Sequence, residues 1–126
     1  NIENGHYFIC NCCSCCCGVL RGVNKYAGAA GVNSNYYAEI DADECVSCGV
    51  CADERCQVFA IEEKDDTYEV IKEKCIGCGL CVSTCPSDAI SLLRKKDEDI
   101  VLPPVDEKEW YRRRAEARGV DYSKYA

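Results

Sequence analysis

Several things are missing from this 126-residue chain, and each absence excludes something. No run of 18 or more apolar residues is present, so no segment reads as a membrane-spanning helix and no membrane insertion is expected. The first residues do not form a secretory leader. Methionine is absent throughout, and Asn1 stands where an initiator would, so the chain reads as a fragment or a processed product. No nucleophile–base constellation, phosphate-binding loop or dinucleotide fingerprint can be found, which argues against an enzyme with its own substrate pocket. Positive charge is not in excess. The net charge is −7, and nucleic acid is an unfavourable partner for such a surface.

What is abundant is cysteine, with 14 residues. A content this high in a short chain ordinarily signals a disulfide scaffold. The spacing says otherwise. One run reads Cys75-Ile-Gly-Cys78-Gly-Leu-Cys81-Val-Ser-Thr-Cys85-Pro86, and another reads Cys45-Val-Ser-Cys48-Gly-Val-Cys51, followed by Cys56. Disulfide frameworks have no need of triplets at i, i+3 and i+6, whereas a [4Fe–4S] cubane does. A single C-x-x-C is compatible with zinc or a redox dithiol, but two sets of four leave little room for either. Thiolate ligands need a reducing compartment, so a cytoplasmic location is expected.

The runs belong to a repeat. Tyr37-Ala-Glu-Ile40 precedes the first triplet and Tyr68-Glu-Val-Ile71 the second. Val58-Phe-Ala-Ile61 and Ala89-Ile-Ser-Leu92 follow the two isolated cysteines. An internal repeat of this kind predicts pseudo-two-fold symmetry. Each half is expected to run strand, cysteine loop, a turn or two of helix, return strand. Asp65-Asp66 suits the hairpin turn between the halves. The apolar residues at positions 46, 50, 58, 61, 76, 80, 82 and 90 are expected to form the core. A core of this size is insufficient alone, so bound metal should contribute to folding. Gly49, Gly77 and Gly79 allow the backbone to come close to a cluster and aim amide hydrogens at its sulfurs.

On these motifs, residues 37–93 resemble the bacterial-type 2[4Fe–4S] ferredoxins. The resemblance implies an α+β fold, the ferredoxin-type pseudo-two-fold (βαβ)2 dicluster domain, with a cysteine-rich N-terminal extension and a C-terminal helical tail. It implies that Cys45, Cys48, Cys51 and Cys85 hold one cluster, and that Cys75, Cys78, Cys81 and Cys56 hold the other. The chain departs from the pattern once. Four residues, Ala52-Asp-Glu-Arg55, precede Cys56 where the pattern has three, and Gln57 replaces the proline. The extra residue is expected to alter the loop beside that cluster, and the two clusters are expected to differ in potential.

The N-terminal run Cys10-Asn-Cys12-Cys13-Ser-Cys15-Cys16-Cys17-Gly18 holds six cysteines in eight residues. Neighbouring cysteines rarely bridge each other. The first reading is a third Fe–S cluster held by some four of Cys10, Cys12, Cys13, Cys15, Cys16 and Cys17. The second is a zinc site with four thiolates. Redox-active thiols, or ligands shared with a segment outside the chain, come third. His6 reads first as a lone surface side chain and second as a ligand. Together with the ferredoxin half, the CNCCSCCCG run also resembles the C-terminal part of longer 4Fe–4S dicluster proteins of anaerobic bacteria, which carry a helical domain upstream.

Residues 28–35 read as a Gly/Ala/Asn linker, with a short helix through Val19, Leu20 and Val23 before it. Pro103-Pro104 predicts an extended arm. Asp106 as N-cap, Glu109 as its capping-box partner and Gly119 as the stop predict a helix over 107–118. Trp110 on that helix reads as packing against its own domain, or as the anchor of a docking arm for a partner subunit. Three parts are thus expected: 1–35, cysteine-rich with an additional Fe–S site; 36–94, the dicluster domain; and 95–126, arm and helix. The function expected is one-electron transfer, by a carrier and not an enzyme, within a larger anaerobic oxidoreductase system. Redox proteins or partner subunits would be its partners. With two oxidised clusters at about −2 each, the protein would carry about −11, a charge steered towards basic partners. The rivals are an Fe–S enzyme domain with chemistry at the N-terminal cluster, and a ferredoxin with a structural zinc site.

Overall fold

The computed structural model describes residues 2–5, 9–27, 32, 34–121 and 123. His6 and most of the expected linker lie outside them. The chain divides into two compact units, Cys12–Val101 and a second made of Asn1–Asn11 with Leu102–Ala126.

The larger unit is a small α+β structure. A short helix α1 (Gly18–Gly22) runs on into a π-helical turn, Val23–Ala27. Strands β1 (Tyr36–Ile40), β2 (Ile61–Lys64), β3 (Thr67–Val70) and β4 (Ile90–Arg94) follow. They form two antiparallel pairs. The first strand pairs with the last, from Tyr36 opposite Arg94 to Ile40 opposite Ile90. The middle two form a hairpin, from Ile61 opposite Val70 to Lys64 opposite Thr67. That register leaves Asp65-Asp66 as a two-residue turn with φ of 50° and 62°. Positive φ at both positions is the type I′ geometry that matches strand twist, and aspartate tolerates it.

Each strand pair is too small to be stable alone. They meet in one apolar cluster of Ala38, Cys51, Ile61, Val70, Cys81 and Ile90. A second cluster joins Val23 to Val58 and Ala60, with Leu20, Val32 and Ile76 against it. No large side chain is fully buried among the described residues. Two residues expected in the core are not there: Val46 is 63% exposed and Leu80 is 41% exposed. Each sits inside a cysteine triplet that wraps a cavity. The cysteines take the inward positions and leave these side chains at the rim.

The helical turns after the triplets are not α-helical. In the first half Cys51–Arg55 is a π-helical turn, closed by the Cys56 N–H donating to the Cys51 carbonyl at 3.0 Å. In the second half Val82–Thr84 is a 3-10 turn, and Cys85 N–H donates to Val82 O at 3.4 Å. The extra residue before Cys56 is thus absorbed by a wider turn, which is how a π-bulge accommodates an insertion.

In the smaller unit, α2 spans Glu107–Arg118. The Asp106 side chain accepts the Glu109 N–H at 2.8 Å, and Glu109 Oε2 accepts the Val105 N–H at 2.7 Å. Gly119, at φ 64°, ends the helix: Gly119 N–H reaches Glu116 O and Val120 N–H reaches Ala115 O, a complete Schellman motif. The Arg114 guanidinium lies 5.1 Å from the centre of the Trp110 ring. No described helix is long and apolar enough to cross a membrane.

Candidate metal centres

The fold gathers the ferredoxin-like cysteines into two groups. Cys45, Cys48, Cys51 and Cys85 line one pocket, walled by Ile40, Val50, Ala89 and Ile90. Cys56, Cys75, Cys78 and Cys81 line another, walled by Ala38, Val58, Ala60, Ile61 and Val70. Each cavity takes three cysteines from one loop and a fourth from the other half of the sequence. The exposures run in parallel: the first cysteine of each triplet is half-buried, the second exposed, the third buried, and the crossing cysteine half-buried.

The backbone explains how short loops turn four thiols inward. Gly49 and Gly79 have φ of 75° and 76°, and Ser47 and Gly77 have φ of 52° and 61°. Only a left-handed residue at these places lets neighbouring cysteines face one point. Phe59 and Asp88, three residues beyond the two crossing cysteines, also share positive φ, 52° and 55°.

Both groups have hydrogen bonds to sulfur. Cys75 Sγ accepts from the Ala38 and Gly77 N–H groups, each at 3.5 Å, and Cys56 Sγ accepts from Ala60 N–H at 3.1 Å. In the other group Cys85 Sγ lies 3.6 Å from Ser87 Oγ. Arg55 lines the second cavity. Burial pushes the Cys51 thiol up. It pushes Cys81 up to about 11, with help from neighbouring Cys78, Cys75 and Cys56. Burial acts on Cys85 in the same sense, but the Ser87 hydroxyl and N–H, with the Ala89 and Ile90 amides, outweigh it and bring Cys85 down. Four thiols around an apolar-walled cavity suit a cubane, whose thiolates sit on separate corners. Both groups fit that donor set.

The N-terminal cysteines are arranged differently. Cys13, Cys15 and Cys16 bring their sulfurs within 4.8 Å of one another, the one such group of three or more ligating side chains among the described residues. All three are exposed, as are Cys10 and Cys12, and Cys17 is half-buried. A tight turn makes the group, with Cys16 and Cys17 N–H both donating to Cys13 O, at 3.4 and 3.0 Å. The hydrogen bond from Cys15 lowers the pKa of Cys13, and that of Cys15 is pushed up to about 11. The Leu20 N–H lowers that of Cys17, with a contribution from the Cys12 side chain.

Sequence reasoning missed the residues that serve the cysteines without being cysteines. Ser87 and Tyr68 border the first cavity. Gln57 Oε1 accepts the Ser14 N–H at 2.7 Å, which ties the N-terminal run to the residue after Cys56. The replacement of proline by Gln57 was the visible signal for the last.

No curated protein matches the chain. Among protein families, the model described as "4Fe-4S dicluster domain" matches residues 38–92, and domains of this family generally serve as electron carriers. With its cysteines gathered as described, the segment 38–92 fits a 4Fe–4S dicluster domain.

Proposed function

We propose that the protein transfers single electrons through two [4Fe–4S] clusters, one held by Cys45, Cys48, Cys51 and Cys85 and the other by Cys56, Cys75, Cys78 and Cys81. The observation that carries this is the pairing of each triplet with the other half's crossing cysteine around one apolar-walled cavity. The matching exposures and the recurrence of left-handed residues favour a pseudo-two-fold relation between the halves.

Bound clusters supply reversible one-electron chemistry. The chain contributes four thiolates per site, excludes water with aliphatic walls, and directs amide hydrogens at the ligand sulfurs. These hydrogen bonds and the dry walls set the potential. The acidic surface steers the carrier towards basic faces of redox partners or partner subunits. A cytoplasmic, anaerobic oxidoreductase system is the setting this reading favours, with 36–94 as the carrier domain between a cysteine-rich segment at 1–35 and an arm at 95–126.

The N-terminal run is proposed as a third Fe–S site. A specific observation favours a second reading there. Thiolates around one zinc ion stand about 3.8 Å apart at a Zn–S bond of about 2.3 Å. Cys13, Cys15 and Cys16 hold their sulfurs within 4.8 Å of one another, with Cys13–Cys15 at 2.6 Å and Cys15–Cys16 at 3.4 Å, so binding one ion would spread them slightly, whereas neither ferredoxin-like quartet is grouped so closely. The deciding experiment is iron, acid-labile sulfide and zinc per chain on anaerobically purified protein. About twelve irons mean three clusters, and about eight with zinc mean two clusters and a zinc site. A value well below eight overturns the proposal.

A further inference from the structure

The N-terminal cysteine turn is attached to one half of the dicluster unit and not to the other. Ser14 lies between Cys13 and Cys15, and its N–H donates to Gln57 Oε1 at 2.7 Å. Asn24 Nδ2 donates to the Gln57 carbonyl at 3.0 Å. Behind these two bonds, Leu20, Val23 and Val32 pack with Val58, Ala60 and Ile76, and with Cys56 and Cys75. Every one of these attachments falls on residues 56–60 or 75–76. Among the described residues, none is recorded on the 45–51 loop or on Cys85. The same place in the second half is held by Pro86, which has no side-chain acceptor to offer.

We infer that Gln57 is a positioning residue. It seats the Cys13–Cys15–Cys16 turn against the crossing cysteine Cys56, so that a metal bound to the turn acts on the centre held by Cys56, Cys75, Cys78 and Cys81 and leaves the one held by Cys45, Cys48, Cys51 and Cys85 unaffected. The effect on potential rests on the metal-centre reading above, whereas the seating stands on the hydrogen bonds and packing alone. The physical link is short: one hydrogen bond joins the backbone of the turn to the side chain next to a ligand of the second cavity. Charge at the turn is therefore felt first by that cavity, since electrostatic influence falls with distance and, from an exposed site, is screened beyond about 10 Å at ordinary salt.

The test uses the holo-protein, with Gln57→Ala, Gln57→Glu and Gln57→Pro beside the wild type. Proline is the residue of the other half, so this variant keeps the dicluster fold if alanine does not. Amide exchange at Ser14 is expected to be roughly fivefold faster in Gln57→Ala and Gln57→Pro, with glutamate restoring an acceptor and the slow rate. Unchanged Ser14 exchange in both variants overturns the seating. Joint replacement of Cys13, Cys15 and Cys16 by serine is expected to shift the midpoint potential of one cluster. The ligand β-proton resonances would assign that cluster to Cys56 and Cys75. Equal shifts at both clusters, or none, overturn the selective effect. Metal analysis of the same wild-type sample separates the two failures. Eight irons without zinc remove the third centre, while a Ser14 amide that depends on Gln57 still upholds the seating.

Discussion

Ser47 and Gly77 occupy the same place in the two cysteine triplets, and both are left-handed, yet only one of them has room for a side chain. The Ser47 hydroxyl donates to the Asp66 carbonyl. At Gly77 a Cβ would run into the Tyr36 carbonyl and Ser34 Oγ. The halves are thus not interchangeable here. Ser47→Gly loses a hydrogen bond and relieves a left-handed serine, so holo-protein stability should stay within about 1 kcal/mol of wild type. Gly77→Ala adds a backbone collision to a left-handed penalty of about 1–2 kcal/mol, so it should cost more than that. Thermal unfolding under anaerobic conditions checks both, and equal effects would contradict the asymmetry.

Metal removal should be more damaging than any single substitution. The apolar clusters contain few residues, and cysteines make up part of them. Stripping the iron should abolish the cooperative thermal transition, and anaerobic reconstitution should restore it. Uptake should depend on pH with a definite sign. The ligating cysteines of the metal-free chain are protonated thiols near neutrality and must lose their protons to bind. Cluster assembly should therefore strengthen as pH rises from 7 to 9. Assembly that is flat across this range would contradict ligation by thiolates.

The two clusters should have different potentials, in a stated order. Donors on ligand sulfur stabilise the more negative, reduced state and raise the midpoint. Cys75 and Cys56 accept three backbone N–H bonds between them, and Arg55 lines their cavity. In the Cys45 group, Cys85 is faced by the Ser87 hydroxyl and the Ser87, Ala89 and Ile90 amides, so donor number does not separate the sites, but the Asp53 carboxylate stands 3.1 Å from where a Cβ on Gly49 would be. With a cation at one cavity and a carboxylate near the other, the Cys56 group should have the higher midpoint. Ser87→Ala should lower only the other one, in a redox titration followed by electron paramagnetic resonance. A single shared midpoint, or the opposite order, would count against this.

Much of this was legible in the sequence, because the signals were local. Cysteine spacing located the cavities' thiols, Asp65-Asp66 located the hairpin, and Asp106, Glu109 and Gly119 bounded α2. What was not legible depends on how loops wrap. Val46 and Leu80 have the composition of core residues, but their neighbours need the inward direction more. The π-helical turn at Cys51–Arg55 follows from an insertion whose geometry no propensity encodes. The seating of Ser14 on Gln57 joins residues 43 positions apart, and only the folded chain reveals it.

The capping of α2 offers a test free of metal. Glu109 accepts from the Val105 N–H and forms an ion pair with Arg113 at 2.6 Å, and these hold its carboxyl below the ordinary 4.5. A depressed folded pKa means that the stabilisation is present above 4.5 and is lost as pH falls through the folded value. The Glu109 side-chain carbonyl, followed by nuclear magnetic resonance, should titrate below 4.5, and Arg113→Ala should move its midpoint upward. Asp106→Ala removes the acceptor for Glu109 N–H and should cost about 1 kcal/mol of helix stability, read as faster amide exchange in the first turn. A Glu109 midpoint at or above 4.5 would show that its contacts with the Val105 N–H and Arg113 do not hold in solution.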